Sequence, residues 1–174
     1  MRIHILGSAA GGGFPQWNCN CDNCRGLRSG TVRAKSRSHS SIALTGTEED
    51  WVRFNASPGS RAQLEGFPAL QPGRTRRDTA LRAILLVDAQ IDHTTGLLLL
   101  REHTQAWDVY CTAAVKEDLS SGFPIFNILA HFRGVNWNEI GTDELEFTMP
   151  QAPGLAFTAV PLKRQAPTFS PHRQ

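Results

Sequence analysis

Residues 83–90, AILLVDAQ, run through five consecutive apolar side chains and then turn abruptly polar. A strand with one wet face alternates apolar and polar positions, so an unbroken apolar run marks a strand covered on both faces. A chain holding such a strand must supply a layer for each side of its sheet, which selects an α/β architecture. The polar end of the strand is then the natural place for chemistry, because open α/β sheets gather their ligands at the carboxyl ends of their strands. By the strand's period of two, Asp88 and Gln90 lie on one side of it. Asp92 and His93 follow at once, an oxygen and a nitrogen donor on one loop that can turn toward a shared cation. The plainer reading of the pair is local: Asp92 caps the next helix and His93 packs or hydrogen-bonds nearby.

The flanking segments fit the same class. Ile3 and Ile5 alternate in a first strand that ends at Gly7 and opens into a long loop of glycine, asparagine and cysteine. Residues 40–44 and 51–56 read as a hairpin joined through the polar turn TGTEED, and Ser57 with Pro58 reads as the cap and first position of a helix. Residues 94–103 predict a helix behind the central strand, with Gly96 as its weak point. WDVYCT predicts another strand, AAVKEDLS and PIFNILAHF predict helices, and LEFTM with LAFTAVPL predicts two closing strands. No internal repeat or low-complexity stretch interrupts this order, so residues 1–174 read as a single domain.

Composition narrows the partners. With 174 residues, 40% of them hydrophobic, the chain can bury a core of its own. Its 18 basic and 16 acidic side chains leave a net charge of +2, too balanced to point to nucleic acid; the cluster RTRRD at 74–78 reads as a solvated loop. No apolar run approaches the roughly 18 residues of a membrane span, and MRIHILG has no secretory leader pattern, so the expected location is cytoplasmic. The glycine-rich GSAAGGG lacks the lysine of a P-loop and the spacing of a dinucleotide fingerprint. Its glycines suit a close backbone approach near the metal pocket instead. Phe14, Trp17 and GFPIFN could line a pocket, although core packing is the commoner use of such phenylalanines.

Cys19, Cys21 and Cys24 form a C-x-C-x2-C array in NCNCDNC. In a reducing compartment, clustered thiols are metal ligands or redox groups more often than disulfides. Three thiolates on one short loop suit a structural zinc if a fourth donor comes from elsewhere. The alternatives are a Cys21–Cys24 dithiol, which needs a lowered thiol pKa and a helix start, or unliganded thiols. Among fourth donors, Cys111 reads as a buried free thiol at the end of a strand, and His39 as a local histidine.

DAQIDHTTG resembles the metallo-β-lactamase superfamily signature HxHxDHxxG, with Asp88 and Gln90 in place of the first two histidines and Asp92, His93 and Gly96 matching. Together with LGSAAGGGFPQWNCNCDNC, NASP, QIDHTTGLLLLRE, SGFPIFN and SPHR, the chain is similar throughout to the family of PQQ synthesis B proteins. That resemblance implies an αββα metallo-hydrolase sandwich, of which this chain would hold the N-terminal part, and a role in making the cofactor pyrroloquinoline quinone (PQQ). It implies a nonhaem iron-dependent hydroxylation of the tyrosine ring in a Glu/Tyr precursor peptide, with iron or zinc held by Asp92 and His93. An older reading of the family is a carrier of PQQ or its precursor to the periplasm, and a truncated homologue would be inactive. Implied partners are the precursor peptide or PQQ, other proteins of PQQ biosynthesis and a second copy of the chain. Replacement of the first two histidines disfavours a two-zinc hydrolase. Family members run on well past residue 174, and a further histidine ligand is expected there; SPHR matches a different family stretch, so His172 does not inherit that role.

Overall fold

The computed structural model describes residues 1–143, 145–163 and 165–173. A six-stranded sheet runs in chain order from β1 (Arg2–Gly7) through β2 (Ser41–Thr45), β3 (Trp51–Phe54), β4 (Leu81–Leu85) and β5 (Trp107–Cys111) to β6 (Val135–Glu139). β1, β2 and β3 pair antiparallel, and from β3 onward every pairing is parallel. The β2–β3 hairpin forms where the polar turn predicts it. Thr45 Oγ1 accepts the Thr47 and Glu48 N–H groups at 3.1 and 2.9 Å, and Glu48 takes the left-handed conformation at φ 70°.

Both faces of the sheet are covered, as the AILLV run requires. On one face lie α2 (Ser60–Glu65), α4 (Ala113–Asp118), α5 (Ile125–Leu129) and the 3₁₀ helix Thr95–Glu102, packed on Trp51, Leu81, Ile84 and Val109 of the sheet, with Leu97 of the 3₁₀ helix in the same cluster. Leu97 is fully buried, and its truncation to alanine would cost about 3 kcal/mol. On the other face a two-stranded hairpin, β7 (Glu146–Thr148) with β8 (Ala156–Thr158), sits over Val52, Ala83, Leu85 and Tyr110. Gln151 locks it to β5, accepting from the Tyr110 hydroxyl at 2.9 Å and donating to Asp108 at 2.7 Å. This hairpin leaves the β1 end of its face bare. Ile3, paired in register with Leu44, stays 52% exposed and Ile5 67%.

Several expectations change. The central strand stops at Leu85, so Asp88 and Gln90 stand on a loop and not on one side of a strand. Ser57 does not cap α2: its buried hydroxyl donates to Gln63 Oε1 at 3.0 Å, and Gly59 takes the cap position. The predicted helix at 94–103 divides into the short α3 (Ile91–Thr94) and the 3₁₀ helix. There Gly96 is a requirement, since a Cβ would lie 2.2 Å from Ser57 O and Ser60 Oγ. Helix α1 (Asp22–Ser29) and strand β6 were not expected from the sequence. No helix among the described residues is long and apolar enough to cross a membrane.

Candidate metal centre

Where β3 and β4 end side by side, the chain leaves each strand in a loop, and these loops meet. Asn55 N–H donates to Leu85 O at 2.8 Å, and Asn55 Oδ1 accepts the Val87 N–H at 3.3 Å. One residue on, Ala56 N–H donates to His93 O at 2.6 Å and Ala56 O accepts the Gly96 N–H at 2.7 Å. α3 is thereby pinned across the strand ends, with Asp92 and His93 on it.

His93 Nδ1–H donates to Asp88 Oδ1 at 2.6 Å, and the same oxygen accepts the Gln90 N–H at 3.0 Å. A carboxylate only accepts, so this contact sets the tautomer and leaves Nε2 as the ligating nitrogen. Nε2 lies 3.7 Å from Asp92 Oδ2, with both side chains largely covered. Two donors that each bind one cation at about 2.0–2.2 Å can span that distance. A histidine oriented by a carboxylate on its far nitrogen is the usual arrangement behind a metal ligand. The residues therefore fit a cation, and Asp88, which stands where the superfamily signature has its first histidine, takes the supporting position. Asp92 neither caps α3, whose cap is Gln90 without a side-chain bond, nor stands apart from the glycine loop. A Cβ on Gly11 would lie 3.4 Å from the Asp92 carboxylate. Segment 37–40 holds this loop through Ala9 N–H to Ser38 O and Phe14 N–H to Arg37 O.

The thiols assemble separately. Cys19, Cys21 and Cys24 place their sulfurs within 4.8 Å of one another, and among the described residues no other group of three His, Cys, Asp or Glu converges in this way. Such spacing fits three ligands of a tetrahedral zinc. Cys21 is the N-cap of α1, the helix start that the sequence does not announce. The Cys24 backbone and the thiols of Cys19 and Cys24 hold the Cys21 thiol below its ordinary value. For Cys24 the Gln16 backbone pulls the thiol down, but burial and the two neighbouring sulfurs outweigh it and the net shift is upward. Arg28 clamps the loop by donating to Gln16 O and Cys19 O.

Neither other donor joins the thiols. His39 Nε2–H donates to Gly11 O at 2.8 Å, under the glycine loop, and Cys111 is fully buried with its thiol pushed up to about 12 by burial. His172 pairs with Glu117 on α4 at 3.0 Å. Trp17 is exposed, whereas Phe126 is core. Arg74 and Asp78 in RTRRD form an exposed loop pair at 3.3 Å.

Comparison with known proteins places this geometry in a family. Residues 50–174 match the model of the β-lactamase superfamily domain. Coenzyme PQQ synthesis protein B from Azoarcus sp. is 59% identical over 173 residues, which is 99% of this chain and 57% of that protein. Its counterpart from Pseudomonas aeruginosa is 58% identical over 174 residues, with the same shares. The crystal structure of Zn²⁺-bound PqqB from Methylobacterium extorquens superposes with a TM-score of 0.80 at 37% identity, over 91% of this chain and 55% of that one. A diphosphatase of the PhnP family shares the fold, with a TM-score of 0.63 at 17% identity over 84% of this chain and 53% of that one. The chain spans just over half the length of the curated relatives it matches.

Proposed function

Because the chain belongs to the β-lactamase superfamily and is similar along its length to coenzyme PQQ synthesis protein B, we propose that it serves PQQ biosynthesis. The proposed reaction is a metal-dependent oxygenation of the tyrosine ring in a Glu/Tyr precursor peptide. The observation that carries this reading is the Asp88–His93–Asp92 arrangement: one imidazole nitrogen, fixed in tautomer, beside one carboxylate oxygen. A site with few protein donors leaves positions for substrate and dioxygen, as in carboxylate-and-histidine oxygenase centres. Its single histidine is a poor match to the histidine-rich sites of two-zinc hydrolases.

Asp92 and His93 would hold the cation, and iron, when bound, supplies the activation of dioxygen. Asp88 holds the Nδ1 proton, which leaves Nε2 as the nitrogen facing Asp92. The missing side chain of Gly11 leaves space open beside the Asp92 carboxylate, which a Cβ there would fill. Cys19, Cys21 and Cys24 hold a structural zinc that shapes the loop leading into that glycine run. The Zn²⁺ of the Methylobacterium relative supports a divalent cation on this scaffold. The protein acts in the cytoplasm on the peptide or a PQQ precursor, together with other proteins of the pathway.

The test is anaerobic loading with Fe²⁺, followed by oxygen, a Glu/Tyr peptide and a two-electron reductant such as ascorbate, so that one oxygen atom enters the ring and the other leaves as water. Addition of one oxygen to the peptide, read by mass spectrometry and abolished in Asp92→Ala and His93→Ala, supports the assignment. Tight binding of PQQ or the peptide without any oxygenation would replace it with the carrier reading.

A further inference from the structure

β3 carries an arginine where a core residue belongs. Arg53 is fully buried on the helix-covered face, and burial lowers its guanidinium pKa to about 10. Among the described residues no carboxylate pairs with it. It is met by neutral oxygens: Nε donates to Asn55 O at 2.7 Å and to Ser41 Oγ at 3.1 Å, and Nη2 donates to Gln63 Oε1. A buried cation held only by dipoles costs stability that an apolar side chain would not, so its retention calls for a purpose.

That purpose lies in what Arg53 grips. Asn55 sits at φ 59°, a left-handed conformation that few residues other than glycine adopt and that asparagine tolerates best. Its carbonyl accepts from both Arg53 and Ser41, the latter at 3.1 Å. Its side-chain oxygen holds Val87, one residue before Asp88, and the next residue, Ala56, holds the backbone of His93 and Gly96. Two consecutive residues thus connect the buried guanidinium to both partners of the Asp88–His93 hydrogen bond. We propose that Arg53 and Asn55 are positioning residues: a brace at the β3 exit that sets the spacing between Asp88 and His93 and so the direction of Nε2. The brace stands on geometry alone, and only its consequence for cation affinity rests on the proposed metal reading.

The experiment compares Asn55→Ala, Asn55→Asp and Arg53→Met in the 174-residue chain with the cysteine cluster zinc-filled. Amide hydrogen exchange should rise at least tenfold at Val87 and Gly96 in Asn55→Ala, with Leu119, the C-cap of α4, unchanged. Asn55→Asp, which keeps the acceptor and the tolerance for left-handed backbone, should stay within threefold of the wild type. Arg53→Met should fall between them. Co²⁺ affinity should weaken about tenfold in Asn55→Ala while zinc remains on the thiols. If Asn55→Ala does not fold, Asn55→Gly takes its place, keeping the backbone conformation and losing only the Val87 acceptor.

Unchanged exchange at Val87 and Gly96, or an equal rise at Leu119, overturns the brace. A rise without any loss of Co²⁺ affinity reduces it to packing and overturns the positioning role. If the wild type takes up no Co²⁺ beyond the thiols, the metal reading fails on its own. The downfield His93 Nδ1 proton, sharp in the wild type and in Asn55→Asp but lost in Asn55→Ala, then decides the brace; its persistence in Asn55→Ala overturns it.

Discussion

The thiol loop and the Asp88–His93–Asp92 loop are both candidate metal sites, but they are built in opposite ways. Cys19, Cys21 and Cys24 converge within six positions on one loop and the first residues of α1, so their geometry is local and travels with the segment. Asp88, Asp92 and His93 are also close in sequence, yet their spacing is set from outside, by Asn55 at the β3 exit and by the Ala56 backbone. A local array can be damaged alone, whereas a braced site responds to changes in residues that touch no ligand.

The largest effect should come from the local array. Cys21→Ser should strip the thiol zinc, a site of a kind worth about 10–16 kcal/mol in small zinc domains, and raise amide exchange across α1. Elemental analysis and exchange on the same sample check this, and loss of the Asp88–His93 bond in that variant would merge the two sites. Next is Gly96→Ala, whose Cβ meets Ser57 O and Ser60 Oγ. We expect about 3 kcal/mol of destabilisation by denaturant titration, against about 1 kcal/mol for Gly30→Ala, where the left-handed φ of 76° is the only penalty.

Asp88→Asn should lower cation affinity at His93 about 10- to 100-fold while the thiol zinc stays, as competition with a chelator would show. Equal loss at both sites would break the contrast between them. The last effect is silent at neutral pH and appears only in alkali. Cys111, with a folded value of about 12, remains a thiol where the unfolded chain already ionises from about 9. Its contribution is therefore complete below pH 9 and falls as pH rises toward 12, by about 1.4 kcal/mol per unit. Cys111→Ala should flatten alkaline unfolding over that window. Cys21, with its lowered thiol, should be the first cysteine alkylated in metal-free protein.

Much of the architecture is legible in the sequence because burial writes its own pattern. The AILLV run announces a strand covered on both faces, TGTEED announces the hairpin turn, and DAQIDHTTG supplies the donors of the candidate site. What the sequence hides is decided by distant partners. β4 ends at Leu85 although Leu86 and Val87 are apolar: Leu86 N–H makes the last rung of the ladder, to Tyr110 O, and Val87 N–H is taken by the side chain of Asn55. β6 reads as polar because VNWNE is an edge strand with only Trp137 and Val135 packed inward. α1 has just Cys24 and Gly26 buried, too few to show an apolar stripe. The role of Asp88 could not be read at all, since a five-residue separation from His93 gains meaning only after the strand is known to stop three residues earlier.

The change from antiparallel to parallel pairing at β3 also sets an order in time. The β2–β3 hairpin closes over a short turn, and such hairpins form in about 1–10 μs, whereas the β3–β4 seam must wait for a 26-residue connection to close. The thiol loop depends on neither seam, so it should be able to capture a zinc ion on a chain whose Asp88–His93 corner does not yet exist. Pulse-labelled exchange during refolding should show α1 amides protected before those of Val87 and Gly96, and the reverse order would contradict this sequence of events.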